Sequence, residues 1–534
     1  MKMNKSELKN NQIWQKAGVE LPQFDVDAMV EKTKSNPKWL HFGAGNIFRG
    51  FVGSAQQTLL NEDIDDIGII AAESFDFEII EKIYDPYDNL TLLVTMKPSG
   101  VFEKKIVASI AEGIAANLND EKSKTRLVEI FKNKNLQIVS FTITEKGYAL
   151  KDASGDMFSF VADDIENGIK SPKHTMSIIT SLLYERYKNG AWPLTLVSMD
   201  NCSHNGDKLK EAVITVARGW SQKGYVEKEF LTYLEDESKI TFPLSMIDKI
   251  TPRPSEDVFK HLSDLEIEGM DSVITSKNTY IAPFVNAEET EYLVIEDKFT
   301  NGRPALEKSG IIFTDRNTVN MIETMKVTTC LNPLHTALAV TGCLLGHTLI
   351  SEEMKDSTLK KLVEKIGYDE GLKVVVDPGI INPKDFIDEV INQRFANPFV
   401  PDAPQRIATD TSQKVGIRFG ETIKSYQTSK ELSPANLVGI PLAIAAWLRY
   451  LIGIDDEGNE FTISPDPMAD ELQDVLKDIE IGDNKVELKP ILSNAAIFGV
   501  DLYQVGLGNK IEDMVVEMIS GKGAVRSTLD KYLG

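Results

Sequence analysis

The chain has 534 residues and a formal net charge of −23, from 81 acidic and 58 basic side chains, which argues against nucleic acid as a partner because phosphate binding requires a basic surface. Its three cysteines, Cys202, Cys330 and Cys343, form no CxxC pair, so the composition predicts neither a disulfide framework nor a thiolate zinc site. The polar N-terminal segment lacks the apolar core of a signal peptide and no apolar run approaches about 18 residues, so we expect a cytoplasmic protein without a membrane span.

Strand and helix patterns alternate over roughly the first 300 residues. Helical patterns at 121–133 and 206–220 lie between short β-branched runs. These runs predict strands at 39–42, 67–72, 90–95, 136–143 and 194–198. The alternation indicates an α/β domain whose parallel sheet is covered by helices on both faces.

The pattern changes after about residue 310, where strand signals become few. Long apolar-periodic segments dominate there, at 316–349, 352–367, 419–428, 436–453 and 507–532. The sequence therefore predicts a mainly α-helical second domain. The turn-rich segment 297–304 predicts the connection, so we place the two domains at 1–305 and 306–534.

The first predicted strand leads into the segment HFGAGNIFRG, residues 41–50. Gly43 would allow a tight turn there, and Gly45 would let a pyrophosphate approach the backbone. Asn46, Ile47 and Phe48 would then form the first turn of a helix whose N–H groups bind the anion. Phe48 replaces the third glycine of the usual GxGxxG pattern, so the match to a dinucleotide site is incomplete and a structural turn is the alternative.

An acidic residue is expected at the end of the second strand, where it would hold the adenosine ribose. Glu73 is the first candidate and Asp76 the second. Because a carboxylate would repel a 2′-phosphate, the cofactor is predicted to be NAD rather than NADP. An ordinary loop carboxylate is the alternative interpretation of either residue.

The segment KVTTCLNPLH, residues 326–335, brings together a lysine, an asparagine and a histidine. Asn332 and His335 are three residues apart and share one face of a helix. A buried Lys326 could serve as a general base, and the amide and imidazole could hold and orient a substrate oxygen. Taken singly, these residues equally fit a solvated lysine and a satisfied core histidine.

Two polar segments follow predicted strands, where the ligand-contacting loops of open α/β sheets lie. SMDNCSHNG at 198–206 contains Asp200 and Asn201, and TITEKGY at 142–148 contains Glu145. Polar turns without a ligand are the alternative interpretation.

Taken together, these segments resemble the mannitol dehydrogenase family of polyol-specific long-chain dehydrogenases. The resemblance spans some 400 residues. It covers HFGAGNIFRG, TITEKGY, SMDNCSHNG, FPLSMIDKITP (242–252), YLVIEDKFTNGRP (292–304), KVTTCLNPLH, RIATDTSQK (406–414) and AAWLRYLIG (445–453).

The resemblance implies an α/β fold in which a Rossmann-type doubly wound domain is followed by a helical C-terminal domain. It also implies NAD(H) or NADP(H) and no catalytic metal, which the scattered spacing of the six histidines fits. A small sugar acid or polyol would be the partner. By the same resemblance the general base is Lys326, the alkoxide is held by two amides, and a histidine orients the substrate. The two amides would be Asn201 and Asn332, and the histidine would be His335. Arg406 and Lys414 would contact the substrate, and Glu145 would connect the lysine to solvent for proton exchange. Asp200, in the segment 198–206, is a further predicted substrate contact.

One spacing departs from the family pattern, in which the lysine precedes the asparagine by five residues. Here Lys326 and Asn332 are six apart, and in a regular helix Lys326 and His335 would face about 180° away from each other. Pro333 removes a backbone donor and clashes with the preceding turn. We therefore predict a π-type widening between 326 and 333 that keeps Lys326 in the site.

The sequence leaves the substrate open between a sugar acid and a polyol. We favour the interconversion of fructuronate and mannonate, because the chain is longer than a typical mannitol dehydrogenase and departs from its lysine spacing. Mannitol and fructose are the alternative substrates, and phosphorylated polyols are less favoured because no extra basic cluster is evident. A catalytically silent protein that binds a sugar acid or a nucleotide is a further alternative. The sequence does not indicate the oligomeric state.

Overall fold

The computed structural model describes residues 1–152 and 154–534 and separates the chain into two compact units, Met1–Val319 and Asn320–Gly534. The first unit extends beyond the predicted boundary after residue 305. Its last strand, Ile312–Thr314, pairs in parallel with Tyr292–Glu296, and Leu306 is buried in the core of the same unit. The segment 297–304 is therefore part of the first unit.

A six-stranded parallel sheet forms the centre of the first unit. Its strands are β1 (Trp39–Phe42), β2 (Ile69–Glu73), β3 (Ile110–Ala115), β4 (Ile138–Phe141), β5 (Leu194–Ser198) and β6 (Ile240–Thr241). They lie in the order β3-β2-β1-β4-β5-β6, and every neighbouring pair is parallel. The order in which strands are added therefore reverses between β1 and β4, with β2 and β3 on one side and β5 and β6 on the other. Ligands of open α/β sheets bind at the carboxyl ends of the strands at such a point.

The strands are predictable because β1, β2, β4 and β5 are buried along their whole length, as expected for a sheet covered on both faces. Amphipathic helices supply the cover. The α-helices of this unit are Lys5–Leu8, Asn11–Lys16, Val26–Ser35, Gly53–Asn61, Glu121–Lys132, Ser159–Asn167, Thr175–Lys188, Asn205–Gln222, Lys228–Glu235 and Glu256–Asp264. Two π-helical turns, Phe48–Val52 and Ile80–Tyr84, and three 3₁₀ turns, Asp85–Tyr87, Glu145–Gly147 and Leu306–Ser309, complete the helical part.

The strand predicted at 90–95 forms but lies outside the parallel sheet. Thr91–Met96 pairs antiparallel with Phe102–Val107 across a short loop, in a four-stranded sheet with Val19–Glu20 and Phe284–Glu288. A three-stranded sheet (Ser245–Asp248, Tyr292–Glu296, Ile312–Thr314) and a two-stranded one (Val273–Ile274, Tyr280–Ile281) complete the unit.

The second unit is helical, as the sequence predicts. Apart from one isolated bridge between Ile454 and Glu460, residues 320–534 form no strand. From the helix that crosses the boundary onward, the α-helices are Arg316–Met325, Asn332–Leu344, Ile350–Glu353, Ser357–Glu364, Pro383–Glu389, Pro404–Ile407, Glu421–Thr428, Gly439–Leu451, Ala469–Leu476, Lys489–Leu492, Ala495–Phe498, Gly508–Met518 and Ala524–Leu533. The π-helical turns are Lys326–Cys330, Lys365–Glu370, Val390–Arg394 and Gly416–Gly420, and the 3₁₀ turns are Gly371–Lys373, Thr411–Gln413 and Pro434–Asn436.

The helix Gly439–Leu451 is buried on all sides, which accounts for the most apolar stretch of the sequence. Its first N–H groups are satisfied by Glu370, whose carboxylate accepts hydrogen bonds from Val438, Gly439 and Ile440. A carboxylate at this end of a helix also interacts favourably with the helix dipole. No helix in the described part of the chain has both the length and the apolar character needed to cross a membrane.

Candidate functional site

The glycine loop after β1 has the conformation that the sequence predicts. Gly43 has φ +102° and donates its N–H to Ala72 O at 2.9 Å, which joins the loop to the end of β2. A Cβ atom at Gly43 would lie 2.1 Å from the carbonyl oxygen of Thr142, so only glycine fits. At Gly45, by contrast, an added Cβ would meet nothing within 4 Å. The backbone at Gly45 is therefore open to a ligand, and this open cradle at a helix start fits a pyrophosphate.

The residues after Gly45 enter the helix in different ways. Asn46 accepts a hydrogen bond from Nη2 of Arg49 at 2.8 Å, and Ile47 is half-buried. Phe48 is fully buried and stacks on His41 with 4.0 Å between ring centroids, so of Phe48 only the backbone can face a ligand. The close approach expected of a third glycine occurs instead at Gly50, where a Cβ would lie 2.9 Å from Val285 Cγ1.

The buried side chain of His41 stabilises the glycine loop. Its ring nitrogens hydrogen-bond with Ser140 Oγ at 2.6 Å and Thr142 Oγ1 at 2.8 Å. Burial lowers the pKa of His41 to about 3, so the imidazole is neutral at physiological pH. It therefore connects β1 to β4 as a hydrogen-bonding element and not as a charged group.

Glu73 lies at the end of β2, as predicted, and binds the glycine loop. Its Oε2 accepts the N–H of Ala44 at 2.9 Å, and its Oε1 accepts those of Phe75 and Asp76 at 2.8 and 3.2 Å. Burial raises the pKa of Glu73, and the three N–H groups oppose that shift. Since each carboxylate oxygen has two lone pairs, Oε2 retains one with which to accept a ribose hydroxyl.

Asp76, the second candidate for the ribose, points elsewhere. Its Oδ2 accepts hydrogen bonds from the hydroxyls of Thr275 and Thr279 at 2.5 and 2.6 Å. Between the two acids, Phe75 is 68% exposed, and Nζ of Lys277 lies 5.3 Å from the centroid of its ring. Sequence reasoning missed this aromatic residue, although an aromatic side chain in the loop after β2 offers a flat surface for a base.

Asp200, predicted as a substrate contact, organises the loops that follow β4 and β5. Its carboxylate accepts the N–H groups of Ile143 and Thr144, both at 2.9 Å, and the hydroxyl of Tyr148 at 2.6 Å. Burial raises its pKa, and these donors oppose the shift. Asn201, the next residue, is exposed after the carboxyl end of β5.

Asn205, which sequence reasoning passed over, fixes the other end of this loop. Its side-chain N–H donates to the carbonyls of Asp200 and Ser245, both at 3.0 Å. Glu145 is exposed and forms an ion pair with Lys208. The two loops are therefore held by the protein's own hydrogen bonds, which leaves Asn201 at a defined position.

The lysine segment has the predicted distortion. Residues Lys326–Cys330 form a π-helical turn, in which the N–H of Leu331 bonds the carbonyl of Lys326 at 3.1 Å, and a regular helix resumes at Asn332. The prediction of a π-type widening before Pro333 is confirmed. Absorbing one residue reduces the effective separation of Lys326 and His335 from nine to eight, or about 80° of rotation. Lys326 is 3% exposed and hence buried, not solvated.

His335 lies next to charged side chains of the second unit. Its Nε2 lies 2.8 Å from Oδ2 of Asp402, and Oδ1 of Asp402 accepts a hydrogen bond from Arg406 Nη2 at 2.5 Å. Burial lowers the pKa of His335, and the carboxylate of Asp402 opposes the shift. Asp402, absent from the predicted set, therefore places a negative charge beside the histidine ring.

Lys414 and Arg418 extend this group of cations. Nζ of Lys414 donates to the carbonyl of Thr409, and burial, with Arg418 nearby, lowers its pKa. Arg418 donates from Nη1 to Thr336 Oγ1 at 2.5 Å. Arg394 and Arg418 both act on His335 electrostatically. Sequence reasoning found Arg406 and Lys414 but missed Arg394 and Arg418, which have no distinctive spacing.

Glu353 is a buried acid close to this group. It is fully buried, its two carboxylate oxygens have no hydrogen-bond partner among the described residues, and burial together with Asp402 and Asp356 raises its pKa well above the usual value. When folding keeps a carboxyl group protonated, the free energy of unfolding falls as pH rises above about 4.5. The reason is that this group ionises in the unfolded chain but stays protonated in the folded chain.

Glu353→Leu should therefore raise the free energy of unfolding by about 1–3 kcal/mol at pH 8, with a smaller gain at pH 5. Thermal and denaturant unfolding at both pH values would measure it. Glu352→Leu is the matched control, because Glu352 is exposed and pairs with Lys355. Equal gains at the two pH values would contradict a protonated Glu353.

Within the described residues, no group of three or more histidine, cysteine, aspartate or glutamate side chains could hold a metal ion. The groups that could hold a cofactor are instead those of the glycine loop and Glu73. The carboxyl ends of β1, β2 and β4 can thus hold a dinucleotide. The second unit contains a buried lysine, an amide, and an imidazole that lies beside Asp402 and near two arginines.

Comparisons with known proteins agree on one family. Residues 37–308 match the mannitol dehydrogenase Rossmann domain, and residues 318–519 match the mannitol dehydrogenase C-terminal domain. The chain is 53% identical to the D-mannonate oxidoreductase of Thermotoga maritima, over 100% of this chain and 99% of the relative. It is 28% identical to the polyol:NADP oxidoreductase of Gluconobacter oxydans, over 86% and 87% of the two chains.

Two solved structures share the fold. Mannitol 2-dehydrogenase of Pseudomonas fluorescens, in a ternary complex with NAD and D-mannitol, superposes with a TM-score of 0.72 at 25% identity, over 100% of this chain and 99% of the other. Substrate-free D-sorbitol dehydrogenase superposes with a TM-score of 0.80 at 24% identity, over 96% and 98% of the two chains.

Proposed function

Because the chain belongs to the mannitol dehydrogenase family, we propose that it is an NAD-dependent D-mannonate oxidoreductase, which interconverts D-mannonate and fructuronate. The observation that carries this proposal is 53% identity to the Thermotoga maritima enzyme along the entire chain. Relatives that are named for polyols are more distant, at 28% and 25% identity.

The broader predictions made from the sequence are confirmed. The chain is a dehydrogenase of this family, with a Rossmann-type unit followed by a helical unit. NAD is its cofactor, as the Rossmann domain and the NAD complex of the Pseudomonas fluorescens enzyme support. Glu73 favours NAD over NADP here, because its buried carboxylate at the end of β2 would repel a 2′-phosphate.

The charges of the second unit favour an acidic substrate over a neutral one. The charges of Arg394 and Arg418 help to lower the pKa of His335, and Arg418 also helps to lower the pKa of Lys414. A carboxylate of mannonate or fructuronate would gain charge-assisted hydrogen bonds from such groups, whereas mannitol needs only neutral donors and acceptors. The cluster therefore supports a sugar acid as substrate and makes the mannitol–fructose pair the weaker candidate.

In the proposed reaction Lys326, as a neutral amine, accepts the hydroxyl proton of the substrate. Asn201 and Asn332 donate hydrogen bonds to the oxygen as it becomes negative, and His335, beside Asp402, orients it. Bound NAD would supply the hydride acceptor for the carbinol carbon, and loss of the hydride and the proton would convert the alcohol to a ketone. In the reductive direction protonated Lys326 returns the proton to the oxygen.

Glu145 and Asp200 have supporting roles in this proposal. Exposed Glu145, paired with Lys208, would exchange protons between Lys326 and solvent. Asp200 would accept hydrogen bonds from the N–H groups of Ile143 and Thr144, and would thereby position Asn201. Arg406 and Lys414 would contact the substrate, as in the family pattern.

Turnover with purified protein tests the function. We expect NADH consumption at 340 nm with fructuronate, and NADH formation with D-mannonate, each at a kcat/KM at least about tenfold above that with tagaturonate, fructose or mannitol. Activity should persist after dialysis against a chelator. Preference for fructose and mannitol would assign the protein to polyol oxidation instead, and NADH binding without any turnover would indicate a catalytically silent protein.

A further inference from the structure

Unlike Arg406, Arg418 forms no ion pair with an acidic side chain among the described residues. It lies in the π-helical turn Gly416–Gly420 and is half-buried. Burial lowers its pKa to about 10, so the guanidinium remains protonated at neutral pH. A half-buried positive charge without a counterion is costly, and proteins rarely keep one unless a ligand supplies the missing charge.

The charges of Arg406 and Lys414 are already partly compensated. Arg406 is exposed and pairs with Asp402, whose other oxygen lies 2.8 Å from His335. Lys414 donates to the carbonyl of Thr409, and Asp410 and Asp466 act on its charge. Arg406 therefore already has a carboxylate in contact with its guanidinium, whereas Arg418 has a neutral hydroxyl.

The anchoring of Arg418 leaves part of its guanidinium available. Nη1 donates to Thr336 Oγ1 at 2.5 Å, and Thr336 is adjacent to His335 on the same helix. The backbone N–H of Arg418 also bonds the carbonyl of Lys414 at 2.9 Å, which fixes the start of the turn. One edge of the guanidinium is thereby oriented, and its remaining N–H groups can pair with a carboxylate in bidentate geometry.

We infer that Arg418 binds the carboxylate of the sugar-acid substrate and so determines the preference for a hexonate over a polyol. This inference rests on the proposed function and extends it by assigning specificity to a residue outside the predicted set. Thr336 acts as a positioning residue, because it orients the guanidinium through the hydrogen bond to Nη1.

Arg418→Gln should raise KM for D-mannonate and fructuronate by about 10–100-fold with kcat changed by less than about threefold. Activity towards mannitol or fructose, which have no carboxylate, should stay unchanged. Arg418→Lys should recover part of the affinity, because lysine keeps the charge but not the bidentate geometry. Thr336→Val, which is isosteric, should raise the same KM by a smaller factor. Arg218→Gln, at an exposed ion pair with Glu235, is the control.

The outcomes separate the inference from the proposed function. If the wild type oxidises mannonate and Arg418→Gln has an unchanged KM, the role of Arg418 is overturned and the proposed function stands. The same follows if Arg418→Gln loses kcat/KM equally for mannonate and mannitol. If the wild type does not oxidise mannonate, the function fails, and the inference is then decided by thermal shift with mannonate. Stabilisation of the wild type but not of Arg418→Gln would support it, and any other pattern would reject it.

Discussion

Lys326→Ala is expected to lower kcat for D-mannonate oxidation by about 10²–10⁴-fold, the range typical of a lost general base. The side chain is buried at 3% exposure, and no other lysine lies between Lys308 and Lys355 that could replace it. Steady-state rates at 340 nm measure the loss. The NADH dissociation constant, measured by fluorescence titration, should stay unchanged because the glycine loop is intact.

A matched surface substitution and a chemical rescue distinguish a lost base from a damaged fold. Lys355→Ala removes an exposed lysine that pairs with Glu352, and should keep full activity. In a Cys202→Ser background, Lys326→Cys treated with bromoethylamine regains an amine at nearly the same position and should recover activity. Because the added sulfur lowers the basicity of that amine, the pH profile should move to lower pH. An active Lys326→Ala enzyme, at more than about a tenth of the wild-type rate, would exclude Lys326 as the base.

Local backbone chemistry is what the sequence predicts best here. The π-type widening was predictable because Pro333 cannot donate to the carbonyl of Thr329 and its ring clashes with it, whatever surrounds the helix. The turn at Gly43 was predictable for a similar reason, since its geometry depends on glycine and on the adjacent strand. Such features need only a few neighbouring residues.

Features that depend on long-range packing were not predictable. The strand at Thr91–Met96 looks in sequence like any buried strand, and its separate sheet is set by pairing with Phe284–Glu288, which lies far along the chain. Likewise, Asp402 and Arg418 have no pattern of their own. They join His335 only because the helices of the second unit pack together.

Gly43→Ala should destabilise the first unit by about 2–6 kcal/mol, which adds the cost of overpacking to that of a positive φ angle. The added Cβ would lie 2.1 Å from Thr142 O, and a backbone atom cannot rotate away as a side chain can. The ends of β1 and β4, joined by the bond from Thr142 N to Phe42 O at 2.9 Å, would have to separate. We expect a lower melting temperature and no measurable NADH binding.

Gly45→Ala, two residues further on, is the matched control that separates folding from cofactor binding. Because its Cβ would meet nothing within 4 Å, the melting temperature should stay at the wild-type value. The same Cβ would occupy the space through which a pyrophosphate approaches the backbone, so the dissociation constant for NADH should rise about tenfold or more. Normal NADH affinity in Gly45→Ala would show that the dinucleotide does not lie over this loop, whereas a large loss of stability would show that the loop is more tightly packed than its open geometry implies. The pair therefore tests whether the two glycines have the separate roles, one in folding and one in binding, that their surroundings indicate.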